Sequence, residues 1–168
     1  MIYKSYILEQ NFKVVEKTNL FLFYGENQGL KKEFKEKIKV QFKSEEVLNL
    51  FQDDILKNEN ILLNEINNKS LFDTKKIIII NQASDKIFDL IENASNSVQE
   101  NKIFLFSDLL DKKSKLRSFF EKSKTLGVVA CYQDNEITLR KIITMKLKNY
   151  QGLNNQIANL IMQNSGLD

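Results

Sequence analysis

The chain of 168 residues contains no histidine, no proline, no tryptophan and a single cysteine. Without histidine it lacks the commonest general base and the commonest nitrogen ligand for a metal ion. A lone cysteine, Cys131, excludes an internal disulfide and any cysteine-based zinc cluster. It stands in the apolar run Val128-Val129-Ala130-Cys131-Tyr132, where a buried thiol is expected rather than a nucleophile. An excess of one charge is missing too. The 25 Lys and Arg against 22 Asp and Glu leave a formal +3, which permits contact with nucleic acid but does not argue for it. No apolar run approaches the roughly 18 to 20 residues of a membrane helix. Met1 to Gln10 has no basic start leading into a long apolar stretch. A cytoplasmic protein, with no membrane contact and no metal or cofactor, is the expectation.

What is present is an alternation of two patterns. Five short apolar runs predict strands: Leu20–Tyr24, Val47–Phe51, Lys76–Ile80, Ile103–Phe106 and Gly127–Tyr132. They are rich in β-branched and aromatic residues and mostly do not alternate with polar ones, which suits strands buried on both faces. Helical stripes separate them. Leu30, Phe34 and Ile38 recur at i, i+4, i+8. Ile55, Leu62, Leu63 and Ile66 form a looser stripe, with Asp53, Asp54 or Asn58 as candidate caps. Ile87, Phe88, Leu90 and Ile91 follow Ser84-Asp85, another candidate cap, and Leu116, Phe119 and Phe120 lie on a basic helix predicted to begin near Asp111. Strand–helix alternation argues for an α/β domain: a five-stranded parallel sheet flanked by helices.

After Asp134-Asn135-Glu136 no further strand is predicted. Leu139, Ile142, Ile143, Leu147 and Tyr150 trace one amphipathic helix, and Ile157, Leu160 and Ile161 trace another. Two helices are too few to close a core of their own. The expected division is an α/β domain over residues 1–135 and the first helices of a small helical domain over 136–168, with the sequence ending partway through it.

The most distinctive segment joins the first candidate strand to the first helix: Gly25-Glu26-Asn27-Gln28-Gly29-Leu30-Lys31. A phosphate-binding loop occupies this position in P-loop proteins. It needs G-x-x-x-x-G-K-[ST], with glycines for backbone approach, Lys for the β/γ-phosphates and a hydroxyl for Mg²⁺. Here the second glycine, Gly29, comes one residue early. Lys31 is followed by Lys32 and Glu33 where a hydroxyl is required. A P-loop ATPase also needs acids after a different strand. In the AAA+ ATPases that pair ends the third strand, which here ends in the neutral amides Asn81-Gln82. Two parts of an ATPase site are missing together, so no intrinsic catalysis is expected. Gly25 and Gly29 then read as a tight turn that needs positive φ or close packing.

Other segments carry weaker signals. Asp108 follows the fourth candidate strand and is expected to cap a turn or the next helix. Asp53-Asp54 could suggest a phospho-acceptor pocket, but that chemistry would want a Lys where the chain has Cys131-Tyr132. Lys112, Lys113, Lys115 and Arg117 form either a solvated helix face or a phosphate contact, as do Lys31, Lys32, Lys35, Lys37 and Lys39. Ser70-Leu71-Phe72 places two large apolar residues between Asn67-Asn68-Lys69 and Asp73-Thr74-Lys75-Lys76. Such a pair packs onto the sheet or anchors in a partner's pocket; local sequence leaves both open.

Four segments in this order carry a family likeness: Phe23-Tyr24-Gly25-Glu26-Asn27-Gln28-Gly29-Leu30, then Ser70-Leu71-Phe72 ahead of Lys75-Lys76-Ile77-Ile78-Ile79, then Asp111-Lys112-Lys113-Ser114-Lys115-Leu116, and Val129-Ala130-Cys131-Tyr132-Gln133-Asp134-Asn135-Glu136. The chain resembles the N-terminal part of the bacterial DNA polymerase III delta subunit, a component of the sliding-clamp loader. The resemblance implies an AAA+-like fold without ATPase activity, in a subunit of the DNA polymerase III holoenzyme. It implies that Leu71 and Phe72, with Ser70, form a wedge that enters a hydrophobic pocket on the β sliding clamp and helps hold the ring open. The other loader subunits would be partners through a C-terminal collar domain, and DNA would be met indirectly or weakly. Delta subunits are roughly twice as long as this chain. A divergent P-loop-like NTPase and a nucleic-acid-binding module are the competing readings.

Overall fold

The computed structural model describes residues 1–67, 75–98, 101–150, 152 and 154–164. In chain order the elements are β1 (Ile2–Tyr3), α1 (Ser5–Gln10), a 3-10 segment (Phe12–Lys17), β2 (Leu20–Tyr24), α2 (Gln28–Gln41), β3 (Glu46–Phe51), α3 (Gln52–Lys57), α4 (Asn60–Asn67), β4 (Lys76–Asn81), a 3-10 turn (Asp85–Ile87), α5 (Phe88–Ser97), β5 (Lys102–Ser107), α6 (Lys115–Lys122), β6 (Gly127–Ala130), α7 (Glu136–Lys146) and α8 (Asn155–Asn164).

The strands form one parallel sheet in the order β1-β6-β2-β5-β4-β3. All five predicted strands are in it. The sixth, β1, is a two-residue edge strand that shows no apolar run in the sequence. It is held from outside the ladder: the Met1 ammonium donates to the carbonyls of Ser123 and Leu126 at 2.6 and 2.5 Å. The last predicted strand ends earlier than expected, at Ala130, because Cys131 leaves the sheet to cover the turn after β2.

Both faces of the sheet are buried, and β2 shows why its sequence does not alternate. Leu20, Leu22 and Tyr24 point into one core with Ile55, Leu62, Ile91, Leu116 and Phe120. Phe21 and Phe23 point into the other with Leu8, Phe34 and Ile38. Each strand residue therefore meets helices whichever way it faces. On the second face Phe23 stacks on Phe106 with ring centroids 4.7 Å apart and on Phe21 at 4.8 Å. The looser stripe over Ile55–Ile66 resolves into two helices, α3 and α4. Asp53 and Asp54 lie in the first turn of α3, where their charge complements the exposed amides, rather than capping it.

The basic helix begins at Lys115, four residues later than expected, and its cap comes partly from another element. Ser114 caps it locally, and Asp85 reaches across from the β4–α5 connection. The Asp85 carboxylate accepts from Ser114 Oγ at 2.6 Å and from the backbone amides of Lys115 and Leu116 at 3.1 and 3.0 Å. Asp85 thus ties α6 to the β4 connection, and of the candidate cap Ser84-Asp85 it is Ser84 that caps the 3-10 turn leading into α5, its Oγ accepting from Lys86 N at 3.4 Å.

Burial alone would raise the Asp85 carboxyl, but the bonds from Ser114, Leu116 and Lys115 outweigh it and hold the pKa below the ordinary value. A depressed carboxylate adds stability that is fully present above its unfolded pKa, near 4, and is lost as pH falls through the folded value. Asp85→Ala is expected to destabilise by about 1–2 kcal/mol at neutral pH, the lower part of the range for charged hydrogen bonds, because Asp85 is exposed and screened. Denaturant titrations of both proteins between about pH 2 and 7 should show the gap narrowing below about pH 4.

After β6 the chain turns into α7, opened by a capping box between Asn135 and Thr138. Helices α7 and α8 pair, with Leu139, Ile143 and Ala158 buried and Arg140 donating to Asn159 Oδ1 at 2.6 Å. Among the described residues no helix is long and apolar enough to cross a membrane.

Candidate functional site

In a parallel sheet all strands point their carboxyl ends the same way, and the crevice at those ends is where ligands bind in such folds. Here the ends of β3, β4 and β5 and the start of α2 converge on a cleft of about 380 Å³ lined by Gln28, Lys31, Lys32, Lys35, Phe51, Asn81, Gln82, Phe106, Ser107 and Asp108. Lys31 of the predicted phosphate loop and Asn81 and Gln82 of the predicted acid position line it, while Gly25 and Gly29 do not.

The turn itself is built by backbone contacts. Gly25 has φ +134°, and a Cβ there would lie 2.1 Å from the carbonyl oxygen of Cys131. Both reasons foreseen for this glycine apply, positive φ and close approach. Gly29 has neither. It lies in the first turn of α2, which begins at Gln28, and its nearest outside atom is Asn27 Oδ1 at an ordinary 3.5 Å. The helix starts two residues before the sequence suggested because Asn27 caps it, with Oδ1 accepting from Leu30 N at 2.8 Å. The other end of the same amide donates to Asp134 Oδ2 at 2.9 Å and to the Tyr132 carbonyl at 3.3 Å. The Asn27 backbone amide meets Cys131 O at 3.0 Å, so the turn is already bonded to the segment after β6, a contact the sequence pattern does not show.

Lys31 stands where the phosphate-binding lysine would be and is 5 % exposed. Its ammonium donates to Ser107 O at 2.8 Å and pairs with Asp108 Oδ1 at 3.1 Å. Gln28 Nε2 donates to the same carboxylate oxygen at 3.0 Å. Asp108 therefore reaches back to α2 and does not cap a following helix, which corrects the sequence expectation. Bonds from Gln28 and then Lys31 hold its carboxyl below the ordinary carboxylate range. Lys32, at the position where Mg²⁺ would need a hydroxyl, is exposed.

At the acid position Asn81 Oδ1 accepts from Lys35 Nζ at 2.5 Å, while its Nδ2 donates to Leu50 O at 3.2 Å. Lys35 also lies 4.6 Å from the centre of the Phe106 ring. Burial, and then the fields of Lys31 and Lys39, lower its pKa. Gln82 is exposed and adopts φ +56° at the strand end. An amide accepts a lysine here, but it carries no charge to hold a divalent ion and cannot serve as a general base.

The remaining candidates separate. Lys112, Lys113 and Lys115 are exposed. Arg117, grouped with them in sequence, turns inward. It pairs with Glu121 at 2.8 Å, donates to Leu110 O at 3.0 Å and covers the Tyr24 ring at 4.9 Å. Cys131 is fully buried, and burial pushes its thiol up to about 12, so it is not poised as a nucleophile.

Ser70, Leu71 and Phe72 lie outside the described residues. Their flanks are fixed at the opposite end of the sheet from the cleft, between the end of α4 and the start of β4. Lys76 pairs with Glu65 at 2.8 Å, and the Asn101 side chain bridges Ile66 O and Lys76 N at 2.9 and 3.0 Å.

A six-stranded parallel sheet with helices on both faces and a strand–turn–helix at its carboxyl edge defines an AAA+-like fold. The chain is similar in structure to the Bacillus subtilis DNA clamp loader delta protein, at TM-score 0.66 and 14% identity over 94% of this chain and 52% of that one. It is also similar to Rhizobiales Trip13, at TM-score 0.55 and 12% identity over 98% and 67% of the two chains. A katanin structure follows at 0.53 and 15% over 91% and 56%. The chain thus spans about half the length of the delta protein it matches, and at these identities the likeness is one of fold. No family model matches, and no curated protein gives a significant match.

Proposed function

We propose that the chain is a clamp-loader delta-type subunit that binds a β sliding clamp and helps hold its ring open without hydrolysing ATP. Leu71 and Phe72, preceded by Ser70, are the wedge, and binding rather than chemistry is the mechanism. The observation that carries the reading is the combination of fold and cleft. The domain matches the delta protein over nearly its whole length. Its phosphate lysine is engaged by Asp108, its acid position is an amide, and its magnesium hydroxyl is replaced by Lys32.

Residues 136–168 are, on this proposal, the first helices of a helical domain. Loader partners would assemble through sequence beyond it, and DNA would be met indirectly or weakly. A wedge that prefers the open ring shifts the clamp's equilibrium by its differential affinity for the two states. Binding of the chain to a β sliding clamp tests the proposal directly. A nucleotide test separates it from a divergent NTPase. A ligand at about 100 times its Kd adds about 2.7 kcal/mol to stability. ATP with Mg²⁺ is expected to leave the melting temperature unchanged, and a saturable rise would overturn the non-hydrolytic reading.

A further inference from the structure

Lysines dominate the cleft at the carboxyl edge of the sheet. Among its described lining residues Lys31, Lys32 and Lys35 face a single carboxylate, Asp108. Two of the three lysines are withdrawn from solvent. Lys31 is nearly buried against Asp108 and Ser107, and Lys35 is half-buried between Asn81 and the Phe106 ring. Burying cations is costly unless an anion or acceptors meet them. The Asp108 carboxylate meets that need for Lys31. One of its oxygens takes both Lys31 Nζ, at 3.1 Å, and Gln28 Nε2, at 3.0 Å, the two groups on α2 best placed to grip an oxyanion.

We propose that Asp108 is the resident anion of this cleft: its carboxylate occupies the oxyanion position against Lys31 and Gln28, and so closes an otherwise cationic pocket to polyphosphates. The turn's own amides are partly engaged: Gly25 N donates to Asp108 O, Asn27 N to Cys131 O and Leu30 N to Asn27 Oδ1. The backbone still runs from β2 through Gly25 into the amino end of the fourteen-residue helix α2, a geometry that favours anions. Exclusion comes from a tethered negative charge that a free polyphosphate must displace while also being repelled by it. Neutralising that one charge leaves the three lysines with no carboxylate among the cleft's described lining residues. The inference concerns only the cleft and does not depend on what Leu71 and Phe72 bind.

Isothermal titration with inorganic tripolyphosphate tests it on four proteins: wild type, Asp108→Asn, Asp108→Ser and Asp108→Asn combined with Lys31→Gln. Asn retains an oxygen acceptor for Lys31 and Gln28, and Ser removes the amide bulk as well, so a folding failure in one leaves the other; circular dichroism confirms the fold. Asp108→Asn or Asp108→Ser is expected to bind at least about tenfold more tightly than wild type, the equivalent of 1.4 kcal/mol. Adding Lys31→Gln should abolish the gain. Equal binding by wild type and the Asp108 variants would overturn the proposal, as would absence of binding by all. A gain that survives Lys31→Gln would place the anion elsewhere on the lysine surface and would overturn it too.

Discussion

Alanine at both Leu71 and Phe72 is expected to weaken binding to a β sliding clamp about a hundredfold or more. Full burial of each side chain contributes about 1.5–3 kcal/mol, so the pair accounts for several kcal/mol, and interfaces concentrate their energy in a few such anchors. The comparison, by titration calorimetry, needs the double variant to melt like the wild type. The described residues on either side of the segment are tied by the Glu65–Lys76 pair and by Asn101, so the rest of the fold is expected to be unchanged. Affinity should also change little with salt, since the wedge is apolar; lysine contacts to phosphates would instead weaken steeply as salt rises. Equal binding by both proteins would move the contact away from this segment.

Gly25→Ala is expected to lose about 3–5 kcal/mol of stability, summing strain at an unfavourable φ with overpacking. At φ +134° a side chain is strained wherever it points, and this one points at backbone. The added Cβ would sit 2.1 Å from Cys131 O and 2.6 Å from Cys131 C. That carbonyl cannot swing away cheaply, because it accepts from the Asn27 amide, and the Cys131 amide in turn donates to Tyr24 O at 2.6 Å. Gly29→Ala supplies the contrast within the same turn. Its Cβ would meet nothing closer than 3.5 Å, so the change is expected to be neutral or to stabilise by up to about 1 kcal/mol. Urea titrations of the two variants should move in opposite directions or differ by several kcal/mol.

The two glycines also show what could be read from the chain. Strands β2 and β4 were legible because Leu20–Tyr24 and Lys76–Ile80 are apolar on both faces, a pattern only a doubly covered sheet explains. The turn was legible as a turn, but Asn27's cap moved the helix start, and with it the role of Gly29. That signal was present in the sequence, an Asn three residues before Leu30. Contacts that join distant segments were not legible. Asp108 to Lys31 and Asp85 to Ser114 depend on which strands are neighbours, and periodicity carries no such information. Edge strand β1 escaped because two residues hold no pattern, and its anchors, Ser123 and Leu126, lie more than 120 positions away.

The strand order has a consequence for how the chain is made. The central strand β2 is flanked by β5 and β6, both synthesised long after it. At about 5–20 residues per second, the roughly hundred residues between Tyr24 and Ala130 take several to about twenty seconds to emerge. Leu20-Phe21-Leu22-Phe23-Tyr24, fully buried once folded, has neither neighbour until β5 is made and only one until β6 is. The nascent chain therefore carries this apolar segment without either neighbour until Ser107 has been translated, the interval in which a holding chaperone would matter most.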